Sequence, residues 1–193
     1  MHLPTHAALT WLLAESDRTL ERRDRRLILV SGVIPDLDAL TLLGGREVYE
    51  RWHRIVCHNA LGAVVATLLL AFLARRRAKV ALLCFLGFHG HLLCDLIGSA
   101  GPDGSNWGIP YLVPFVNDPE RQLRWDGQWG LASWQNVALT IGALLVGAHL
   151  AAARGRSIVE AFSLRADAAV VEVVRRRWPF GRGAAPTPPA NSP

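Results

Sequence analysis

Two long stretches of this chain carry no ionisable acid or base, and that limits its fold more than any other feature. From Gly127 to Ala153 there are 27 consecutive residues without Asp, Glu, Lys or Arg, and from Ile55 to Ala74 there are 20. A helix of about 20 mostly apolar residues crosses the hydrocarbon of a bilayer, so both runs are long enough to span. Val80 to Cys94 is charge-free for 15 residues and ends at Asp95, which makes it a weaker span with polar groups in its last turns.

The net charge of +5 does not overturn this reading, because of where the basic residues sit. They form short blocks at Arg22–Arg26, Arg75–Lys79, Arg154–Arg156 and Arg175–Arg177, and three of these flank apolar runs. Basic loops at the ends of apolar segments mark the cytoplasmic side of a membrane protein. No nucleic-acid partner is needed to explain them. The start, Met1-His2-Leu3-Pro4-Thr5-His6, has no basic region and is followed by Glu15 and Asp17, so a cleaved signal peptide is not expected. Cys57, Cys84 and Cys94 are odd in number and form no C-x-x-C pair, which supports neither a disulfide framework nor a cysteine-only zinc site.

The coarse pattern predicts an all-α, multi-pass membrane protein built from two helical hairpins and a further C-terminal transmembrane helix. The first hairpin pairs a helix over about Thr5–Leu20 with one from Leu27 that stops at Ile34-Pro35, around a basic turn. The second pairs a helix from near His53 to Ala74 with one from Val80 to about Ile97. Residues 98–132, rich in Gly, Pro and Trp, read as a long irregular loop. Its tryptophans are either an interfacial belt or core packing. The domain division is a membrane-embedded body over 1–157, a basic amphipathic segment over 158–180 and a disordered tail over 181–193.

The chemistry follows from where His and Asp fall. His91 and Asp95 are four apart on one helix and so share a face, a spacing that lets both reach one metal ion. Counted from a turn at Arg77, His58 lies 19 residues back and His91 and Asp95 lie 14 and 18 forward. In antiparallel helices that is nearly one level. In the first hairpin, His6 lies 17 residues before Arg23 and Asp36 lies 13 after it, so Pro35-Asp36-Leu37-Asp38 brings two carboxylates beside His6. Each hairpin then carries an imidazole and carboxylate cluster at the end away from its basic turn. The hairpins are expected to share one metal site, since Asp36, Asp38 and Asp95 would otherwise be unpaired charges in apolar surroundings. His89 is turned about 200° from His91 and reads as structural. His149 reads as a packed residue and His2 as an untethered terminal one.

These residues together, His6, Pro35-Asp36-Leu37-Asp38, His53-Arg54 with His58, and His91 with Asp95, followed by Gly98, Gly108 and Pro114, resemble the YdjM-like family of membrane-associated metal-dependent hydrolases. The resemblance covers roughly residues 1–120. Where the family usually has His-Arg-Gly-x-Thr-His-Ser, this chain has His53-Arg54-Ile55-Val56-Cys57-His58-Asn59, which keeps both histidines and changes the small and hydroxyl residues. The motif style is also similar to that of zinc-dependent phospholipase C.

The resemblance implies a multi-pass inner-membrane hydrolase acting on phosphoester or lipid-derived substrates; the placement of the basic blocks argues against a nucleic-acid partner. The metal candidates are His6, Asp36, Asp38, His53, His58, His91 and Asp95. They would hold one or two divalent ions, zinc first, with manganese or iron suiting the same donors. Asp38 is the candidate base for a water, and Arg54 the candidate to offset charge on an anionic substrate. The alternative is a non-catalytic membrane protein with a structural metal site or a partner-docking role. Under the positive-inside tendency residues 75–79 and 154–156 are expected to be cytoplasmic, with the His58/His91/Asp95 end outside.

Overall fold

The computed structural model describes residues 1–177 apart from 102 and 117; the predicted tail lies outside the described residues. Its elements are α1 (Leu3–Glu15), α2 (Arg22–Ser31), a 3-10 segment (Ile34–Gly44), α3 (Arg46–Trp52), α4 (Ala60–Leu73), α5 (Arg77–Gly98), a 3-10 turn (Pro119–Arg121), α6 (Trp134–Arg154), a 3-10 turn (Ile158–Ala161) and α7 (Leu164–Arg177). No strand occurs among the described residues; isolated bridges join Ala100 to Gly130 and Ile109 to Leu123. The chain falls into two compact units, Met1–Ala143 and a second beginning at Leu144.

Within the first unit α1 packs on α2, α4 on α5, and both α1 and α2 on α5. The approach is close because small residues line it. A Cβ on Gly32 would lie 1.8 Å from Thr10 Oγ1, and one on Gly87 would lie 2.8 Å from Ser31 Oγ. The buried residues of α5 are Val80, Cys84, Gly87, Phe88, His91, Leu92, Asp95 and Gly98, a stripe with helical spacing of three and four. His91 and Asp95 thus face inward because they continue the core stripe.

The large apolar residues face the other way. Leu68, Phe72, Leu82 and Ile141 are all more than half exposed, whereas the buried residues of α4 are Ala63, Ala66, Thr67, Leu70 and Ala71. A water-soluble protein hides its large apolar side chains, and a helix that presents them outward over its length is solvated by lipid. The 22 residues of α5 and the 21 of α6 are apolar enough to span, and α2 with the 3-10 segment forms a third candidate, bent by 55°.

Three sequence expectations need correction. The basic block Arg22–Arg26, expected as the turn of the first hairpin, lies inside α2, and α1 ends at Glu15 instead of near Leu20. The Ile55–Ala74 run yields only the 14 residues of α4, about 21 Å, which falls short of the roughly 30 Å hydrocarbon core. The weaker-looking Val80–Cys94 run belongs to the longer helix. The expected helix from His53 begins instead at Ala60, because Asn59 is its N-cap: the Oδ1 of Asn59 accepts from Gly62 N at 2.7 Å. The preceding residues form α3 and an irregular turn in place of the loose segment and helix start expected there.

At the basic-turn end, charge is used structurally. Asp24 is fully buried and accepts from the backbone N–H groups of Arg75 and Arg76 at 2.9 and 3.1 Å, capping α5 from the side of α2. Lys79 donates to Asp17 at 2.6 Å. Lys79 and Thr19 together hold the Asp17 carboxyl well below the usual range. The loop over 99–132 is stitched to the opposite end: Trp129 N donates to Ile97 O at 2.7 Å, and Ile109 and Leu123 exchange two bonds of 2.9 Å. Trp107, Trp125 and Trp134 are exposed, which is not core packing.

In the second unit, Ser157 donates from both N and Oγ to Asp167, at 2.7 and 2.6 Å. Arg175 Nε caps the end of α6 through Ala152 O at 2.9 Å.

Candidate metal centre

His6, Asp36, His91 and Asp95 each offer one ligand atom within 4.8 Å of the others. Two come from the first hairpin and two from the second. The His6 and His91 rings stack with centroids 3.6 Å apart. His6 Nε2 lies 3.1 Å from Asp95 Oδ1, and His91 Nε2 lies 3.3 Å from Asp95 Oδ2 and 3.7 Å from Asp36 Oδ1. The Met1 ammonium and the Ser99 hydroxyl also reach Asp95 Oδ1.

His58 borders this group. Its Nε2 is 3.2 Å from Asp95 Oδ2 and 3.3 Å from His91 Nε2. Its Nδ1 is 2.8 Å from Asp38 Oδ2, which also accepts from Arg54 N at 2.6 Å. His53 Nδ1 lies 2.8 Å from Asp38 Oδ1 without the alignment of a hydrogen bond. The seven sequence-predicted candidates therefore meet in one region, divided into a group of four, the adjoining His58, and Asp38 with His53 behind it.

The 3-10 segment explains why the two aspartates part company. With three residues per turn, Pro35, Asp38 and Thr41 share one face while Asp36 is turned away. Pro35 and Asp38 are buried, and Asp36 is half-buried on the His91 side. Thr41 Oγ1 also donates to Asp38 O at 2.5 Å, which fixes this face.

The donor set fits a cation. Gly32 O can only accept, so His91 Nδ1, 2.8 Å away, carries the proton and a neutral His91 presents a bare Nε2. His58 is held likewise by Asp38. Two bare Nε2 atoms and Asp95 Oδ2 then stand about 3.3 Å apart, an arrangement of acceptors that a cation or a shared proton satisfies. Burial alone would lower the His58 pKa, but Asp38 and Asp95 outweigh it and hold the ring above its ordinary value. A proton and a divalent cation both satisfy that position. Buried His6 Nδ1 and Asp36 Oδ2 have no hydrogen-bond partner among the described residues.

Arg54 sits beside the cluster with φ of 69°, a left-handed conformation costly to a side chain of its size. Its backbone N–H is held by Asp38. Its guanidinium lies over the Trp107 ring, 4.6 Å from the centroid, and its buried Nε has no hydrogen-bond partner. Burial pulls its pKa down, against the carboxylates of Asp95, Asp38 and Asp36.

Several contributors carry no sequence signal. Gln128 Nε2 donates to Leu96 O and Trp107 O at 2.9 and 3.0 Å, tying the loop over the end of α5. Asn136 Nδ2 donates to Gly98 O at 2.8 Å from a fully buried position. A lone amide in a loop or at a helix start looks like any exposed polar residue. His89 bonds Phe85 O and Tyr111 Oη, apart from the cluster, as its angular offset indicates.

The family model for the YdjM inner membrane protein matches residues 1–179. The chain belongs to the YdjM inner membrane protein family. It lies in the inner membrane, consistent with its two to three spanning-length helical segments. No curated protein and no solved structure matches it significantly.

Proposed function

We propose that this YdjM-family protein is a membrane-embedded, metal-dependent hydrolase of phosphoester or lipid-derived substrates. α5 and α6, with α2 and the 3-10 segment as one bent span, would cross the bilayer, with the Arg75–Lys79 turn cytoplasmic and the cluster at the opposite end. The observation that carries the reading is the convergence of imidazole and carboxylate acceptors from both hairpins. His6, Asp36, His91 and Asp95, with His58, would hold a divalent ion. When bound, such an ion lowers the pKa of a coordinated water to about 7 and polarises a phosphoryl or carbonyl oxygen. Nitrogen and carboxylate donors suit zinc first, then manganese or iron.

The chain's own groups do the rest. Asp38 fixes the His58 tautomer and the Arg54 backbone, so it acts as a positioning residue. Its engagement by two donors makes it a poorer general base than its sequence position suggested; Asp36, with one free oxygen, is better placed to take a proton. Arg54 offers positive charge beside the cluster for an anionic substrate.

Detergent-purified protein should hydrolyse bis-p-nitrophenyl phosphate or a phospholipid, lose that activity on chelation, and regain it with zinc or manganese. Metal retained without turnover of either substrate class would favour a structural metal site and overturn the hydrolase reading.

A further inference from the structure

Two cavities adjoin at Ile55, and their linings have opposite character. The first, about 360 Å³, is lined by His53, Arg54, Asn106, Gln122 and Arg124, with no carboxylate among its described lining residues. Arg54 is 8% exposed and its Nε is unpartnered; its Nη1 donates to Trp107 O at 3.5 Å, and Asp95, Asp38 and Asp36 attract its charge from beyond ion-pair distance. A largely buried guanidinium with no carboxylate in direct contact keeps donors for an anion. Arg124 is exposed and spends one nitrogen on Pro119 O at 3.3 Å, which leaves the rest of its fork free.

The second cavity, about 560 Å³, runs along α4 over Leu61, Val65 and Leu69, an i, i+4, i+8 stripe about 12 Å long. Its one amide, Asn59, is already spent: Oδ1 accepts from Gly62 N, and Nδ2 donates to Ile55 O at 2.8 Å. Such a groove offers a peptide backbone little to bond and suits a hydrocarbon chain.

We propose that the paired cavities hold one lipid phosphate, its headgroup between Arg54 and Arg124 and its chain in the groove along α4. The outward-facing apolar side chains of α4 place that groove in contact with lipid, which is the source of the ligand. The proposal rests on the hydrolase reading for its significance, since it names the substrate class of the same site, but its test does not use turnover.

Native mass spectrometry of the full chain in detergent with EDTA should retain 1-oleoyl lysophosphatidic acid at least 10-fold more tightly than monooleoylglycerol, which has the same chain without phosphate. Excess inorganic phosphate should not displace it. Arg124→Gln, at an exposed position that spares the fold, should weaken retention about 10-fold, as should Arg54→Gln where that variant folds. Val65→Trp should block the chain and abolish retention. Equal retention of the two lipids, no effect of Arg124→Gln, or displacement by inorganic phosphate would each overturn the assignment. A chain that retains the lipid phosphate but hydrolyses nothing would sink the enzymatic reading and leave this one standing.

Discussion

Asp38→Ala is expected to lower both metal affinity and turnover by about 10–100-fold, the usual cost of removing a carboxylate that orients a ligating histidine. The side chain is 2% exposed and accepts from His58 Nδ1 and Arg54 N, so alanine frees the His58 ring and strands a buried backbone N–H. Asp38→Asn should cost less, because a single amide oxygen can still accept from both donors. Isothermal titration with zinc, run beside a phosphodiesterase assay, measures both effects. The ordering matters more than the absolute loss. If Asp38→Asn lost metal as completely as His91→Ala, Asp38 would be a direct ligand.

Asp24→Ala should be the most destabilising change away from the cluster. It removes a fully buried carboxylate and leaves the part-buried N–H groups of Arg75 and Arg76 without their acceptor, at a cost of about 2–4 kcal/mol. For a chain of this size that is about 5–15 °C in melting temperature. Thermal unfolding in detergent, followed by circular dichroism, reads it directly. A melting temperature within about 1 °C of wild type would show that water replaces the carboxylate and that the cap contributes nothing.

The cluster was legible because its residues obey simple spacing. His91 and Asp95 lie on one helical face, and counting from the basic turn places His58 at their level. The same count brings His6 to Asp36. The count assumes continuous antiparallel helices, whereas His58 lies in the turn before α4, Asp36 in the 3-10 segment and Arg23 inside α2; the structure brings the residues together all the same. The division between Asp36 and Asp38 was not legible, because it depends on the three-residue repeat of a 3-10 segment that composition does not distinguish from a helix end. The start of α4 was misplaced for a related reason. Hydropathy runs unbroken through Ile55–Ala74, and only the Asn59 side chain bonding back to Gly62 N sets the boundary. The Gly32 carbonyl that fixes the His91 tautomer lies 59 positions away and has no side chain to announce it.

The central claim is that the two hairpins share one metal site, and metal content of purified variants tests it most directly. Wild type should carry at least one divalent ion per chain by inductively coupled plasma mass spectrometry. Provided each variant is shown to be folded, His91→Ala on the second hairpin and Asp36→Ala on the first should both lose most of it, while His149→Ala should match wild type. Full metal in both Asp36→Ala and His6→Ala together with loss in His91→Ala would contradict the shared site and confine metal binding to the second hairpin.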